Sequence, residues 1–256
     1  MEPYIFDIIR SSFVDGPGLR TVVFFKGCNL NCFWCHNPEG KDPKPQLALF
    51  EEKCSGCGVC RTVCEKGEGP CTLCGACARF CPEGARKLYG RKYGDDELMK
   101  ILTADRAFYD ATGGGVTFSG GECMLYPETV LRLGEKLHRK GISFAIDTAG
   151  SVPYEWFRPL FPLAPIFLYD VKAIDPELHK RGTGSDNQRI LDNLDRLIGD
   201  GQKLIIRVPV IPDFNEGDEV RKIDAYLESR GLKAEHLPYH EMGESKKAAL
   251  ALAAQQ

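Results

Sequence analysis

The chain carries twelve cysteines, and all but Cys123 fall between Cys28 and Cys81. Thiols at this density are either cross-linked or bound to metal. A disulfide scaffold suits short secreted chains. This chain has 256 residues, and Glu2 and Asp7 interrupt what would have to be the apolar stretch of an export signal. The expected compartment is therefore the reducing cytoplasm, where clustered cysteines point to metal and their spacing says which metal.

The first group, GCNLNCFWCHNPEG, sets Cys28, Cys32 and Cys35 in a C-x3-C-x2-C loop directly after the apolar run TVVFFKG. Three thiolates on one tight loop can hold three irons of a four-iron cubane and leave the fourth iron open to chemistry. Zinc is the alternative, but structural zinc wants four closed ligands, and His36, adjoining Cys35, would make a strained fourth. The second group repeats C-x2-C-x2-C-x3-C, as Cys54, Cys57, Cys60, Cys64 and as Cys71, Cys74, Cys77, Cys81 followed by Pro82. This is the bacterial ferredoxin run, in which the fourth cysteine of each set ligates the other cluster. By that rule Cys54, Cys57, Cys60 and Cys81 hold one cluster, and Cys71, Cys74, Cys77 and Cys64 the other. Two departures leave the crossing and a zinc-ribbon reading open: only residues 65–70 separate the sets, and Glu65 stands where proline often follows.

Around these groups, short runs rich in β-branched and aromatic residues read as strands: 21–27, 115–120, 142–147, 165–170 and 203–211. Helical periods lie at 95–109, 128–139, 187–198 and 218–229, with Gly141 and Gly231 as stops. Strand alternating with helix predicts an α/β domain with a parallel sheet, formed by residues 1–50 and 88–256. Residues 51–87 form a small insert whose fold depends on its metal. The Ala-rich end, KKAALALAAQQ, is helix-prone but has no partner strand, and it is set aside from the site.

Charge excludes some functions. With 33 Lys+Arg against 36 Asp+Glu and a net charge of −3, no basic field points to nucleic acid. No apolar run approaches the roughly 18 residues of a membrane span, and the stretch 157–168 is broken by Pro159, Pro162 and Pro165.

The cysteine triplet with Trp34 before its last member resembles the signature of the radical S-adenosylmethionine (SAM) superfamily. Further segments sharpen the likeness: DGPGLR from Asp15, CHNPEG from Cys35, GGGVTFSGGE from Gly113, DTAG from Asp147, LYDVK from Leu168 and LPYH from Leu237. Together they resemble the glycyl radical enzyme activating enzymes, from about residue 6 to 245. The resemblance implies a partial parallel (β/α)6 barrel with a ferredoxin-like insertion, with the site at the C-terminal ends of the strands.

It also implies roles. The open iron would bind the amino and carboxylate groups of SAM, with Gly120, Gly121 and Glu122 at the amino group. On its own, that segment is equally a glycine-rich turn. Asp147 and Asp170, with the backbone oxygens of Thr148 and Leu168, would flank a monovalent cation; read alone they could be helix caps. Lys172, Arg207 and His240 match positions that contact SAM or lie near a peptide substrate. Asp15, Trp34, His36 and Asn37 match positions near the reacting centre, although Asp15 in DGPG is also a fitting turn residue. Cys123 reads as a buried structural thiol.

The expectation is an oxidoreductase with three [4Fe–4S] clusters, one binding SAM and two auxiliary. It would cleave SAM reductively, and the resulting radical would take a hydrogen from a glycine of a partner, a glycyl radical enzyme. Flavodoxin or ferredoxin would supply the electron, and the chain itself would be a monomer. A radical SAM enzyme for another peptide or small molecule, or a non-catalytic electron carrier, are the competing readings.

Overall fold

The computed structural model describes residues 2–66 and 71–254. In chain order the strands are β1 (Ile5–Ser12), β2 (Arg20–Phe25), β3 (Gln46–Leu49), β4 (Arg86–Tyr89), β5 (Gly115–Gly120), β6 (Ser143–Thr148), β7 (Ile166–Asp170), β8 (Lys203–Val210) and β9 (Ala234–Pro238). The helices are α1 (Val59–Thr62), α2 (Ala76–Arg79), α3 (Asp95–Leu102), α4 (Arg106–Thr112), α5 (Pro127–Arg139), α6 (Pro176–Thr183), α7 (Gln188–Gly199), α8 (Asp218–Glu228) and α9 (Met242–Ala254).

Seven strands form one sheet in the order β1-β2-β5-β6-β7-β8-β9. Only β1 runs antiparallel; from β2 to β9 each strand lies parallel to the one before it in that order. The order never reverses, so the helical connections all wind one way, and every loop leaving the C-terminal end of a parallel strand opens on the same rim. The central strands bury almost every residue, RTVVFF in β2 entirely, which is why they read as continuous apolar runs. The helices bury one stripe: Ile190, Asn193, Leu194 and Leu197 of α7, and Ile223 and Leu227 of α8.

Several features go beyond the sequence expectation, strand β1 and helix α6 among them. Strand β9 was not expected, because as a sheet edge it buries no residue fully and so shows no apolar run. The helix expected over 95–109 is two helices. Asp105, at the break, turns its carboxylate to Arg10 (Nε, 2.7 Å) and Thr21 (Oγ1, 3.2 Å) on the neighbouring strands instead of continuing the helix. Strands β3 and β4 pair antiparallel, and the cysteine-rich segment is the long connection between Leu49 and Arg86. The Ala-rich end is helical as expected, forming α9, but it also packs: its Ala249 is fully buried with Phe6, Val22, Phe24, Ala48 and Tyr89.

Candidate functional site

Each expected site segment except DGPG leaves the C-terminal end of a parallel strand. The cysteine loop follows β2, Gly120-Gly121-Glu122 closes β5, Asp147-Thr148 closes β6, Asp170 closes β7, and Tyr239 and His240 follow β9. Register brings Asp170 opposite Arg207.

The cysteine loop is held from several sides. The Cys28 N–H donates to the Lys41 carbonyl (3.0 Å), the Asn31 N–H to that of Thr183 (2.7 Å), and the Phe33 N–H to that of Gly182 (3.1 Å). Lys41 Nζ donates to the Cys32 carbonyl (2.8 Å). Trp34 is buried and packs on Phe214, with ring centroids 4.4 Å apart. It acts as packing under the loop, and Gly182 is required there because a Cβ would stand 2.7 Å from the indole. Burial pushes the Cys28 thiol up to about 12 and raises Cys32 and Cys35, and Cys32 and Cys35 each add to the shift at Cys28. Lys172 opposes the rise at Cys32 and Cys35. Three mutually coupled thiols beside a buried ammonium match the donor set of a [4Fe–4S] cluster with three protein ligands, whose binding would displace the thiol protons.

At the end of β5, the Gly121 N–H donates to the Phe25 carbonyl (2.9 Å) and the Glu122 N–H to that of Gly27 (2.8 Å). A Cβ on Gly121 would lie 2.1 Å from the Gly27 oxygen, so the cysteine loop and the β5 end fit only with glycine there. Glu122 itself is turned inward. Its carboxylate accepts from Thr148 Oγ1 (2.8 and 2.9 Å), the Ala149 N–H (3.0 Å) and the Met124 N–H (3.0 Å). Burial raises it to about 7 against those hydrogen bonds. Its side chain therefore ties the β5 and β6 ends together, and the glycine backbone is what faces the rim.

Asp147 and Asp170 do stand side by side, and protein cations relieve their repulsion. Arg207 donates from Nε to Asp170 (3.2 Å) and from Nη2 to Asp147, while Lys172 Nζ donates to Asp170 (2.9 Å). All four are largely buried. Arg207 and Lys172 thus contact the same carboxylates at which the resemblance implies a monovalent cation together with the backbone oxygens of Thr148 and Leu168. Burial pushes the Asp147 carboxyl up, whereas Asp170, facing both cations, is held low despite burial. Burial also works against the Lys172 charge, but Asp170 and Cys32 hold the ammonium above its usual range.

Asp15 joins this group electrostatically, contributing to the charge of Arg207. Its carboxylate accepts from Ser12 Oγ (2.5 Å) and its carbonyl from Thr117 Oγ1 (2.7 Å). His36 lies beside Tyr239 and His240, with centroids 5.9 and 6.0 Å away, and its Nε2 is buried without a hydrogen-bond partner among the described residues. His240 is exposed and meets the cysteine loop through His36, apart from the carboxylate group. Asn37 accepts from Lys246 (3.2 Å). Cys123 is fully buried and donates weakly to the Phe118 and Asp147 carbonyls (3.4 and 3.5 Å).

Sequence reasoning missed three groups. Ser119 donates to Asp147 (2.6 Å). Arg20, without exposure, holds the DGPG loop by donating to the Pro17 and Val116 carbonyls (3.0 and 2.6 Å). Lys246 reaches the cysteine loop from α9. An arginine inside an apolar strand was a readable signal for Arg20, as it was for Arg207; nothing local marks Lys246.

None of the insert's cysteines, and none of the others, is joined in a disulfide. Helices α1 and α2 each begin after a left-handed glycine, Gly58 (φ 74°) and Gly75 (φ 75°), giving two like turns. A small cavity of about 30 Å³ is lined by Cys54, Cys57, Cys60 and Cys81. Cys77 is coupled instead to Cys64, Cys71 and Cys74. Among the described residues no three His, Cys, Asp or Glu side chains converge where a single metal ion would sit; cubane thiolates bind separate irons and need no common point. A larger cavity, about 680 Å³, opens between the cysteine loop and α7, lined by Asn29, Ser151, Tyr154, Asp186 and Arg189 among others, and none of the candidate residues reaches it.

Comparison with known proteins identifies the family. The sequence model of the Radical SAM superfamily matches residues 69–225. The trans-4-hydroxy-L-proline dehydratase activating enzyme of Clostridioides difficile is 39% identical, over 96% of this chain and 87% of its own length. The choline trimethylamine-lyase activating enzyme of Oleidesulfovibrio alaskensis is also 39% identical, over 94% of this chain and 85% of its own length. Among solved structures, SuiB of Streptococcus suis bound to precursor peptide SuiA shares the fold, with a TM-score of 0.55 at 12% identity over 87% of this chain and 39% of that one. No helix among the described residues is long and apolar enough to cross a membrane.

Proposed function

The chain belongs to the radical SAM superfamily and, within it, to the glycyl radical enzyme activating enzymes, and we propose that it installs a radical on a glycine of a partner enzyme. The observation that carries this reading is the meeting of the Cys28, Cys32 and Cys35 thiols with Lys172 and the Asp147–Arg207–Asp170 group on one rim. Bound there, a [4Fe–4S] cluster and SAM supply a one-electron reductive cleavage whose 5′-deoxyadenosyl product takes the glycine hydrogen.

The chain's own residues bind and orient. Cys28, Cys32 and Cys35 are the ligand set, leaving one iron for the SAM amino and carboxylate groups. The Gly120-Gly121 backbone lets the ligand approach closely, and Glu122 keeps that backbone in place through Thr148 and Ala149. Lys172 and Arg207 present positive charge to a carboxylate, with Asp147 and Asp170 setting their positions. A monovalent cation at Asp147 and Asp170 would compete with the Arg207 guanidinium for the same oxygens. His36, Asn37, Trp34 and Asp15 shape the wall of the site, and His240 stands at its mouth.

A protein substrate is supported by exposed apolar side chains beside two segments of the site, the cysteine loop and the loop that carries Asp15. Phe13 and Val14, next to Asp15, are 69% and 82% exposed, and Phe33 in the cysteine loop is 52% exposed. A glycine can enter such a site because it brings no side chain.

The insert, residues 51–87 beside the barrel at 1–50 and 88–256, holds two further [4Fe–4S] clusters with crossed ligation in this reading. The separate groupings of Cys81 and Cys64 support the crossing. The outward exposure of Cys54, Cys57, Cys71 and Cys74 suits electron entry from flavodoxin or ferredoxin. Clustered cysteines that serve as metal ligands suit the reducing cytoplasm, and the chain works as a monomer.

The test is oxygen-free reconstitution with iron and sulfide, then SAM and dithionite. 5′-Deoxyadenosine should form, and Cys32→Ala should abolish it. Adding the glycyl radical enzyme that this chain activates should give a doublet glycyl signal in electron paramagnetic resonance, and a gene for such an enzyme beside that of this chain would name the protein to add. A protein that holds iron yet never yields 5′-deoxyadenosine would end this reading.

A further inference from the structure

The Ala-rich end of the chain, which the sequence offered no reason to connect with the site, lies against the third cysteine. Helix α9 spans Met242–Ala254, and three of its turns face one way at residues 243, 246 and 249–250. Ala249 and Leu250 anchor the far end in the core of Phe6, Phe24, Ala48 and Tyr89. The near end touches the cysteine loop directly. A Cβ on Gly243 would stand 2.3 Å from the Cys35 carbonyl oxygen and 3.2 Å from the Cα of His36.

One turn on, Lys246 Nζ donates to the His36 carbonyl (3.0 Å) and Asn37 Oδ1 (3.2 Å) and pairs with Glu39 Oε1 (2.7 Å). All three partners belong to the four residues that follow Cys35. The Glu39 side chain is 2% exposed and its other oxygen has no partner among the described residues. A buried carboxylate in that position holds its counter-ion strongly, because separating them would strand a charge in low dielectric.

We propose that α9 is a clamp on the cysteine loop, with Gly243 and Lys246 as positioning residues for Cys35. The N-terminal side of the loop is fixed by β2 and the Gly121 crossing, and its middle by the Thr183 and Gly182 carbonyls. The segment after Cys35 is fixed by Lys246. The clamp acts on cluster geometry through Cys35, and in that respect it rests on the function proposed above; the packing of Cys35 does not.

Two measurements separate the cases. In the full apo-chain, kept reduced and oxygen-free, the alkylation rate of each cysteine is followed by peptide mass spectrometry. Lys246→Met should speed modification of Cys35 about tenfold, the scale of a lost hydrogen bond to a charged group. Cys28 and Cys123 should keep their rates. Lys246→Arg should restore most of the protection, and Lys247→Met, on the exposed side of the helix, should match the parent chain.

Because Lys246→Met strands Glu39 and could loosen the fold, Glu39→Gln/Lys246→Met serves as the second variant, and it should still expose Cys35 selectively. An unchanged Cys35 rate in both, or equal acceleration of all three cysteines, overturns the clamp. In the reconstituted chain, Lys246→Met should raise the KM for SAM more than it lowers kcat and should shift the reduced-cluster resonance. A parent chain that cleaves no SAM would count against the proposed function and leave the alkylation result standing as the test of the clamp.

Discussion

Arg207, in the interior of β8, donates from Nε to Oδ1 of Asp170 on the adjacent strand at 3.2 Å, and its outer nitrogen reaches Asp147 on the strand beyond. One guanidinium thus spans the ends of three strands and neutralises carboxylates that would otherwise repel inside the protein. Removing it leaves two buried acids with Lys172 alone. Arg207→Met should cost roughly 3–5 kcal/mol of stability, read from urea unfolding, and Asp170→Asn/Arg207→Met should recover part of the loss. Additive effects in that cycle would show that the pair is not coupled.

Gly121 is the point where the β5 end and the cysteine loop cross. Gly121→Ala should cost about 2 kcal/mol or more, since the Cβ meets backbone that cannot rotate away. It should also speed iron release from the reconstituted chain to a chelator. The same substitution at Gly199, where a Cβ would meet nothing within 4 Å, is the comparison; equal behaviour at both positions would contradict the crossing.

Crossed ligation in the insert makes a chemical prediction. Cys54→Ala and Cys81→Ala should each remove about one third of the bound iron and leave the same residual resonance spectrum, because they ligate one cluster. Cys64→Ala should group with Cys71→Ala and give the other spectrum. Uncrossed ligation reverses the pairing, with Cys81→Ala resembling Cys71→Ala.

Helices α3 and α5 are joined by Asp95, which accepts from Arg132 (2.9 and 3.1 Å) and Lys136 (2.7 Å). Hydrogen bonds from Arg132 and then Lys136 hold its carboxyl below the ordinary 3.8. A depressed carboxylate adds stability that is complete above the unfolded value and fades as pH falls through the folded one. Asp95→Asn should therefore lose about 1 kcal/mol near neutral pH, discounted for partial exposure. The gap to the parent should close below about pH 3.8 in urea titrations at stepped pH. A gap that persists undiminished into acid would point to packing instead.

The sequence alone determined the chemistry that depends on residue type at short range. Cysteine spacing marked an open three-thiol loop and two ferredoxin-like runs, because three ligands of each cluster come from one tight turn. Buried runs such as RTVVFF and IFLYD marked the central strands, because a parallel strand covered on both faces must be apolar throughout.

Tertiary structure decided what depends on distant partners. Glu122 reads in sequence as part of a ligand-binding segment, and only the tertiary structure shows that Thr148 and Ala149, at the end of the next strand, donate to its carboxylate. Asp147 and Asp170 read as carboxylates beside a cation, and only the tertiary structure shows that Arg207 crosses the sheet between them. Edge strand β9 and the two-helix break at Asp105 left no apolar period to read. Helix α9 gave no local sign of where it docks, since a glycine and a lysine acquire a role at Cys35 only when the chain brings the loop beneath them.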